Sequence, residues 1–337
     1  MNISENISLL PHNTFGIDAY CRYFAEYESV EELQEILKTE VFQTNEFLHI
    51  GSGSNLLFLN DFDGIILHSK IKGIEALKET DEHIYFRVGA GETWDDFVQF
   101  AVDNDYGGIE NLSIIPGEVG ASAVQNIGAY GVEVKDVIEQ VETIDLKTRQ
   151  SKIFINSECQ FNYRESIFKR EKKNRYAVTH VVFRLSKKPV FCLEYGNLIE
   201  RLERSKISLK KIRSLIINIR EEKLPDPKKL GNAGSFFMNP IVSKEQYREL
   251  KAEYPTIPTY PISVFQVKIP AGWLIEQCGW KGKSYGNAGV YEKQALVLVN
   301  HGNATAQEIM MLADKITVSV KDRFDIDIYP EVTIISE

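Results

Sequence analysis

The sequence predicts an α+β fold that consists of an N-terminal part and a C-terminal lobe. Short segments rich in β-branched and aromatic residues indicate strands, and several in the first third of the chain end in glycine-rich runs. Longer segments with apolar residues at a helical period indicate amphipathic helices. Pro225-Asp226-Pro227 interrupts the chain, so we place the start of the C-terminal lobe at about residue 226.

Four segments carry the signature of a capped helix. In each, a Ser or Thr precedes an apolar stripe and is followed three residues later by Glu, Asp or Gln, as in a capping box. These segments are Ser29–Lys38, Thr93–Val102, Ser243–Tyr254 and Thr305–Phe324. A fifth segment, Ser208–Glu222, also has a helical period and must end by Leu224, because Pro225 follows.

Strands are predicted where apolar and β-branched residues dominate a short run. Those predicted strands are Phe47–Ile50, Ile84–Val88, Val137–Asp145, Tyr176–Leu185, Val264–Lys268, Ala295–Asn300 and Glu331–Ile335. Their scattered order, with helices between them, favours α+β over an all-β fold.

The composition excludes several classes of protein. The chain has 337 residues, 43% of them hydrophobic, which suffices for two or three domains. A net charge of −9 and a pI of about 5.4 argue against nucleic-acid binding through a broad basic surface. No signal peptide and no apolar stretch of roughly 20 residues is apparent. The four cysteines are scattered and the six histidines lack metal-ligand spacing, so we expect a cytoplasmic protein without a metal site.

Residues 115–131 form the most informative run of the chain. Gly117, Gly120, Gly128 and Gly131 punctuate it, with small residues and one amide pair between them. It lacks the bulky apolar periodicity of a core helix. Glycines let a backbone approach a ligand and turn its N–H groups toward it, so the run suits a polyanionic cofactor such as a dinucleotide. Taken alone, it could equally be a tight-turn linker.

Two further glycine segments follow predicted strands. Ile50–Phe58 reads Ile-Gly-Ser-Gly-Ser-Asn-Leu-Leu-Phe, and Gly89–Trp94 reads Gly-Ala-Gly-Glu-Thr-Trp. Neither has the Gly-Lys-Ser/Thr of a P-loop, and the first lacks the third glycine and opening helix of the Rossmann fingerprint. Three such segments predict that several loops meet on one ligand.

Three polar residues are candidates for chemistry. Ser235 lies in a glycine-bracketed turn before Phe236-Phe237, but not in a Gly-x-Ser-x-Gly elbow. Arg164 offers a guanidinium fork for a carboxylate or phosphate, although in isolation a surface ion pair is the simpler interpretation. Glu331 follows Pro330 near the chain end, where a lone Glu usually faces solvent.

The order and spacing of these motifs resemble one family, the UDP-N-acetylenolpyruvoylglucosamine reductases, flavoenzymes of bacterial peptidoglycan precursor synthesis. The resemblance extends from Asn13-Thr14-Phe15 to Pro330-Glu331-Val332. Its motifs are residues 51–58, 89–92, 115–131, 163–169, 223–227, 231–237 and 271–278.

The resemblance implies an FAD-binding domain of the vanillyl-alcohol-oxidase (PCMH) type in two α+β subdomains, plus a C-terminal α+β substrate-binding lobe. The subdomains would be residues 1–70 and 71–225, and the lobe residues 226–327. The terminal strand, 328–337, would pack back on the first subdomain. The resemblance also implies a monomer that binds neither nucleic acid nor membrane.

The resemblance further implies that NADPH reduces a non-covalently bound FAD, which then passes hydride to the enolpyruvyl group of a UDP-sugar. Ser235 would protonate the substrate carbon, while Arg164 and Glu331 would stabilise the enolate-like intermediate. The implied cofactor-binding residues are Gly51, Ser52, Gly53, Ser54, Asn55, Pro116, Gly117, Gly120, Ser122, Gln125, Asn126 and Gly128. The implied substrate-binding residues are Tyr130, Tyr163, Tyr195, Arg220, Lys223 and Asn239.

This chain departs from the family pattern at three of these positions. Met238 stands where the family usually has Lys, Ser52 where Gly or Glu is frequent, and Glu118 where a small residue or Cys is frequent. None of the three removes a candidate catalytic group.

Two alternatives remain open from the sequence. One is a related FAD oxidase of a small alcohol, against which no His or Cys stands convincingly in the glycine loops to tether a flavin. The other is a catalytically silent sugar-nucleotide-binding protein. The presence of Arg164, Ser235 and Glu331 together favours the reductase, because a silent descendant would be expected to lose at least one of them.

Overall fold

The computed structural model describes residues 2–194, 198–202 and 207–336. Strands are numbered β1–β20 and helices α1–α9 along this part of the chain. The chain packs into two compact units: unit 1 contains residues 1–7, 21–52 and 63–220, and unit 2 contains residues 8–20, 53–62 and 221–337. The three-part division implied by the resemblance stays a prediction.

The first sheet of unit 1 has four strands. Their spatial order is β1 (Asn2–Ser8), β2 (Tyr20–Tyr27), β5 (Phe62–Ser69) and β3 (Glu46–Ile50). Strands β3 and β5 are parallel. Two short helices, α1 (Val30–Ile36) and α2 (Glu40–Thr44), connect β2 to β3, and the buried side chains of α1 pack against the apolar face of this sheet. This sheet therefore carries the first predicted glycine segment at the end of β3.

The second sheet of unit 1 has five antiparallel strands. Their order is β11 (Ser151–Ile155), β10 (Ile138–Asp145), β12 (Tyr176–Ser186), β7 (His83–Gly89) and β6 (Ile74–Glu79). Helix α3 (Trp94–Asp103) covers it, and the Phe97 ring lies 4.9 Å from that of Phe183 in β12. Val88, Ala90 and Trp94 belong to the same buried cluster, so the second glycine segment, which follows β7, packs against this core.

The remaining elements of unit 1 surround the predicted cofactor run. They are α4 (Val119–Gln125), the hairpin β8 (Gly128–Ala129) and β9 (Val132–Glu133), α5 (Leu198–Arg201) and α6 (Leu209–Lys223), whose last residues belong to unit 2. Short 3-10 turns occupy Glu110–Leu112, Val134–Asp136 and Asn156–Cys159.

Unit 2 combines three small sheets with three helices. One sheet has the order β13 (Gly231–Ser235), β19 (Val297–Asn300), β18 (Ala288–Val290), β17 (Ser284–Tyr285), and another β14 (Ile241–Ser243), β16 (Gln266–Lys268), β15 (Tyr260–Pro261). The third pairs β4 (Leu56–Phe58) in parallel with β20 (Thr333–Ile335). The helices are α7 (Lys244–Glu253), α8 (Ala271–Gln277) and α9 (Ala306–Phe324).

The predicted helices are confirmed to within two residues at each end. Ser29, Ser243 and Thr305 accept a hydrogen bond from the backbone N–H three residues later. Thr93 is the exception, because its side chain makes no capping bond. The first N–H of α3, that of Trp94, instead donates to the carbonyl of Gly117 at 3.0 Å. This tertiary contact binds a different donor from the one that a Thr93 cap would bind, the N–H of Asp96, so the predicted cap is absent rather than replaced.

Three predicted strands begin two residues later than expected, and one segment expected to be a loop contains a helix. The strands predicted over Ala295–Asn300 and Glu331–Ile335 begin at Val297 and Thr333. The strand predicted over Val264–Lys268 is confined to Gln266–Lys268, since Val264 and Phe265 are 74% and 77% exposed in the preceding turn. The run 115–131 was expected to be a loop, yet Val119–Gln125 forms α4. Its small residues bury one face against β7 and β12, so close packing replaces the bulky stripe that sequence periodicity looks for.

Candidate active site

The three glycine segments predicted to converge include residues that meet within unit 1. The backbone N–H of Gly120 donates to the carbonyl of Ala90 at 2.9 Å, and that of Val119 donates to the carbonyl of Glu92 at 2.9 Å. These two bonds join the run 115–131 to the segment that follows β7. The first segment adjoins them through Gly51, where a Cβ would lie 3.1 Å from a carboxylate oxygen of Glu118.

Two of these glycines are needed for the contact between segments. A Cβ on Gly120 would lie 2.8 Å from the Cβ of Ala90, closer than real side chains approach. A Cβ on Gly51 would lie 3.3 Å from the Cβ of Ala121. The sequence suggested that glycines let a ligand approach the backbone; here they let three backbone segments approach one another.

Several predicted cofactor-binding side chains make bonds within unit 1. The Ser122 hydroxyl donates to the carbonyl of Val119 at 2.7 Å. The buried amide of Asn126 donates to the carbonyl of Asn162 and accepts from the N–H of Lys135. The Gln125 side-chain oxygen accepts from Lys169 at 3.1 Å. These side chains hold the run in shape. Of the other predicted positions in the run, Pro116 is exposed and Gly117 has φ of +132°.

Gly53, Ser54 and Asn55 belong to unit 2, whereas Gly51 and Ser52 belong to unit 1. The Asn55 side-chain amide donates to the carbonyl of Glu331 at 3.2 Å, and the N–H of Thr333 donates to the carbonyl of Asn55 at 3.0 Å. A predicted cofactor residue and a predicted catalytic residue are therefore neighbours in unit 2.

Arg164 lies against the β8–β9 hairpin of unit 1. Its Nη2 donates to the carbonyl of Gly128, and its Nη1 lies 3.9 Å from a carboxylate oxygen of Glu133. Its guanidinium carbon lies 4.9 Å from the centre of the Tyr163 ring, in cation–π geometry. Arg164 also has φ of +57°, which is uncommon for a residue with a side chain. Three predicted residues (Gly128, Tyr163 and Arg164) are thus brought together.

Arg220 projects from α6 into the interior of unit 1. Its Nη2 lies 3.5 Å from the carbonyl oxygen of Ile114, and its buried Nε has no hydrogen-bond partner. Burial lowers the pKa of Arg220, while the nearby Tyr130 and Asp95 oppose that shift. Burial likewise raises the pKa of Tyr130, and the charge of Arg220 opposes it.

The orphaned Arg220 Nε provides a test of whether a cofactor fits unit 1. A buried donor without a partner is costly, so such donors in native proteins commonly serve a ligand. An acceptor such as a carbonyl oxygen of a flavin ring would satisfy it. Residues 51–52, 89–92 and 114–131 supply the surrounding backbone, and the chemistry of these groups fits FAD.

Backbone hydrogen bonds in unit 2 join the segment that follows Ser235 to the segment that contains Glu331. The N–H of Glu331 donates to the carbonyl of Phe236 at 2.8 Å, and the N–H of Met238 donates to the carbonyl of Tyr329 at 2.9 Å. Ser235 ends β13 after a register irregularity that begins at Asn232. The predicted proton donor thus lies one residue from the backbone partner of the predicted acidic residue.

The last strand anchors Glu331. Strand β20 pairs with β4 in the register Thr333–Leu56 and Ile335–Phe58. Val332 is 4% exposed and Ile335 is 8% exposed. The pairing of β20 and the burial of Val332 and Ile335 thereby fix the backbone next to Glu331.

The other predicted substrate residues are scattered. The Asn239 side chain accepts a hydrogen bond from the N–H of Ala271, at the start of α8, at 2.9 Å. Lys223 is exposed at the end of α6. Tyr195 lies outside the described residues. Sequence reasoning missed Asp95, which bonds Ile114 and Arg213, because its partners are far along the chain.

Comparisons with known proteins cover nearly the whole chain. A model of the UDP-N-acetylenolpyruvoylglucosamine reductase C-terminal domain matches residues 226–335, and a model of an FAD-binding domain matches residues 21–150. The UDP-N-acetylenolpyruvoylglucosamine reductase of Bacteroides fragilis is 54% identical over 334 residues, which cover 99% of this chain and 100% of that protein. The chain belongs to the UDP-N-acetylenolpyruvoylglucosamine reductase family.

Other members of the family support the same assignment. The reductase of Porphyromonas gingivalis is 50% identical over 337 residues, covering 99% of this chain and all of that protein. The crystal structure of UDP-N-acetylenolpyruvylglucosamine reductase from Thermus caldophilus superposes with a TM-score of 0.71 at 21% identity, covering 99% of both chains. The predicted fold class, α+β with a vanillyl-alcohol-oxidase-type FAD domain and a C-terminal lobe, is confirmed.

Membership of the family makes the chain an FAD-dependent oxidoreductase of peptidoglycan synthesis, as the sequence predicts. The predicted cofactors, FAD and NADPH, are those of the UDP-N-acetylenolpyruvoylglucosamine reductase family. Within the described ranges no helix is long and apolar enough to cross a membrane.

Proposed function

We propose that this enzyme uses NADPH to reduce UDP-N-acetyl-3-O-(1-carboxyvinyl)-glucosamine to UDP-N-acetylmuramate. The relatives that match the chain over its whole length carry the name of this reductase. The structural observation that supports the proposal most directly is the hydrogen bond from the N–H of Glu331 to the carbonyl of Phe236, the residue that follows Ser235. A hydroxyl and a carboxyl group on neighbouring segments suit a reaction that needs a positioned acid.

The chemistry of the substrate defines what the residues must do. Reduction of the enolpyruvyl double bond adds a hydride to the terminal carbon and a proton to the carbon that bears the carboxylate. Between the two additions, negative charge spreads over that carbon and its carboxylate. A cation or a hydrogen-bond donor stabilises this charge, and a nearby acid removes it. When bound by residues 51–55 and 116–128, FAD would supply the hydride chemistry that links NADPH oxidation to substrate reduction.

We assign the proton to Ser235 and charge stabilisation to Arg164 and Glu331. The Ser235 hydroxyl donates its proton to the substrate carbon. The Arg164 guanidinium, oriented by Gly128 and Tyr163, binds the substrate carboxylate. An ionised carboxylate only accepts hydrogen bonds, so Glu331 stabilises the developing charge as a neutral acid.

The remaining assignments follow from the charge of the ligands. Residues 51–55 and 116–128 hold FAD non-covalently, chiefly through backbone groups, since Ser122, Gln125 and Asn126 already bond within unit 1. Arg220 and Lys223, three residues apart on α6, provide cations for nucleotide phosphates or for the flavin. Asn239, Tyr130, Tyr163 and Tyr195 complete the proposed substrate contacts.

We also propose a monomer in the cytoplasm. The four cysteines are free thiols, which suits a reducing compartment. Light scattering of the purified protein should give a mass near 38.4 kDa. A dimer mass at micromolar concentration would refute the monomer without touching the proposed reaction.

The test of the reaction is the pair of half-reactions in Ser235→Ala. Bleaching of the bound flavin by NADPH should proceed at the wild-type rate, because it needs no proton from Ser235. Reoxidation by the UDP-sugar should slow by about 10²-fold or more, the scale of losing a positioned acid. Ser319→Ala is the matched control, because that hydroxyl donates to the carbonyl of Lys315 within α9.

Three outcomes would contradict the proposal. Equal slowing of both half-reactions would make Ser235 structural. Oxygen consumption with a small alcohol, and no reoxidation by the UDP-sugar, would favour an oxidase. Binding of the UDP-sugar without any flavin reduction by NADPH would favour a silent binding protein.

A further inference from the structure

Residues 114–117 are held at both ends by hydrogen bonds to Trp94 and Asp95, the first two residues of α3. The carboxylate of Asp95 accepts a hydrogen bond from the N–H of Ile114 at 2.6 Å. The neighbouring Trp94 N–H donates to the carbonyl of Gly117 at 3.0 Å. The Ile-Ile-Pro-Gly segment is therefore fixed at its first and last residue by one helix terminus.

Ile114 is an unusual residue to find at this position. Its φ is +48°, in the left-handed region that β-branched side chains rarely adopt. Such a conformation persists only where surrounding contacts impose it, and strained residues of this kind cluster at ligand sites. Here the contacts are on the backbone of Ile114: its N–H donates to Asp95, and its carbonyl lies 3.5 Å from Nη2 of Arg220.

Asp95 is itself fixed by a buried cation. Arg213 donates from Nη1 and Nη2 to the two carboxylate oxygens at 2.6 and 2.9 Å, and from Nε to Gln99 at 2.8 Å. The Arg213 side chain is only 8% exposed. Burial opposes ionisation of Asp95, yet hydrogen bonds from Arg213 and Ile114, together with the charge of Arg220, hold its pKa below the usual range.

Arg213 and Arg220 stand seven residues apart on α6, so they project from the same face of the helix. On this face of α6, Arg213 donates hydrogen bonds to Asp95, and Nη2 of Arg220 lies 3.5 Å from the carbonyl oxygen of Ile114. The position of α6 along its axis sets the position of the buried Arg220 guanidinium, whose Nε has no partner.

We propose that Asp95 and Arg213 are positioning residues for FAD: they hold Ile114 in its left-handed conformation and so set the turn Ile114–Gly117 and the Arg220 guanidinium that face the cofactor. This inference rests on the proposed assignment of residues 116–128 to FAD. Neither residue touches the cofactor; each acts through Ile114 or Arg220. The pair joins residues 118 positions apart in the chain, and no sequence motif announces it.

The test measures FAD release from the holoenzyme on dilution, followed by flavin fluorescence. Asp95→Ala should weaken FAD binding by about tenfold or more, because Arg213 loses its charged partner and the Ile114 N–H loses its hydrogen-bond acceptor. Arg213→Lys, which keeps the charge but loses the bidentate fork, should weaken binding by about threefold to tenfold. It serves as the second variant should Asp95→Ala fold poorly.

The decisive variant is Ile114→Gly in the Asp95→Ala background, in which the acceptor for the Ile114 N–H is gone. Glycine adopts positive φ without strain, so the turn no longer needs the Asp95 carboxylate to hold it. The double variant should recover most of the lost FAD affinity, whereas Ile114→Gly alone should change it by about threefold or less. Failure of the double variant to recover affinity would overturn the proposal, as would unchanged FAD affinity in both Asp95→Ala and Arg213→Lys.

Glu142→Gln is the matched control. Glu142 accepts a bidentate pair of bonds from Arg87 at 2.8–3.1 Å in the same unit. This substitution should lower the unfolding temperature and leave FAD release unchanged, which separates loss of stability from loss of positioning. A wild-type protein without FAD would refute the cofactor assignment itself. FAD in the wild type held equally by all variants would refute only the positioning roles.

Discussion

The contact between Gly120 and Ala90 offers a sharp test of how the glycine segments converge. In Gly120→Ala the new Cβ would lie 2.8 Å from the Cβ of Ala90 and 3.3 Å from its carbonyl oxygen. Favourable carbon–carbon contacts lie at about 3.5–4.0 Å, so the segments must separate by roughly 1 Å. That movement would also strain the 2.9 Å hydrogen bond between the Gly120 N–H and the Ala90 carbonyl.

The expected cost follows from the behaviour of overpacked cores. One extra methyl group in a close-packed contact destabilises by about 1–3 kcal/mol. At about 2–4 °C per kcal/mol, the unfolding temperature should fall by roughly 2–12 °C. FAD release on dilution should accelerate as well, because the displaced segments are those proposed to hold the cofactor.

A compensating substitution at Ala90 tests whether the clash is the cause of the lost stability. Ala90→Gly in the Gly120→Ala background removes the Cβ with which the new methyl group collides. The double variant should therefore be more stable than the sum of the two single changes by about the size of the clash, about 1–3 kcal/mol. Thermal unfolding of all four proteins gives this coupling. Strictly additive effects would show that the segments do not meet through these two residues.

Three further outcomes are expected. Glu331→Ala removes the carboxyl group and should bind FAD and be reduced by NADPH at the wild-type rate but be reoxidised slowly by the UDP-sugar. The exposed Glu276→Ala should leave both half-reactions unchanged, and wild-type reoxidation in Glu331→Ala would make Glu331 a bystander. Truncation after Tyr329 should lower the unfolding temperature as well, because it removes the buried Val332 and Ile335; an unchanged temperature would contradict the anchoring role of β20. Burial lowers the pKa of His49 to about 4, so the unfolded state binds a proton that the folded state does not between about pH 6.5 and 4. Urea unfolding should therefore show stability falling across that window as the pH is lowered, with a smaller fall in His49→Gln; stability that rises on acidification would refute the sign.

Local signals in the sequence were sufficient to predict the helices and their ends. Ser29, Ser243 and Thr305 cap their helices as predicted, because a capping box is decided by residues within one turn of each other. Thr93 is the exception, because its predicted capping bond does not form. The N–H of Trp94, the first residue of α3, bonds to the carbonyl of Gly117, and no local pattern near Thr93 indicates that contact.

The candidate site was predicted as a set of segments, but the roles of individual side chains were harder to assign. Ser122 and Asn126 are polar residues in a glycine-rich run, and from sequence they look like ligand contacts. In the structure their polar atoms bond to Val119, Asn162 and Lys135, and so stabilise the run itself. A sequence shows which groups can form hydrogen bonds, whereas the tertiary fold decides which of those groups remain for a ligand.

The backbone of Glu331, the proposed acid, is fixed by contacts from distant parts of unit 2. A group proposed to act as a positioned acid needs such contacts, because movement of its backbone would carry the side chain away from the substrate. Residues 53–62 belong to unit 2 and supply two of them: β4 pairs with β20, and Asn55 binds the Glu331 carbonyl. Phe236 supplies a third by accepting the Glu331 N–H. Because the backbone of Glu331 is bonded on both its N–H and its carbonyl, only its side chain remains to move, and that restriction is what a positioned acid requires.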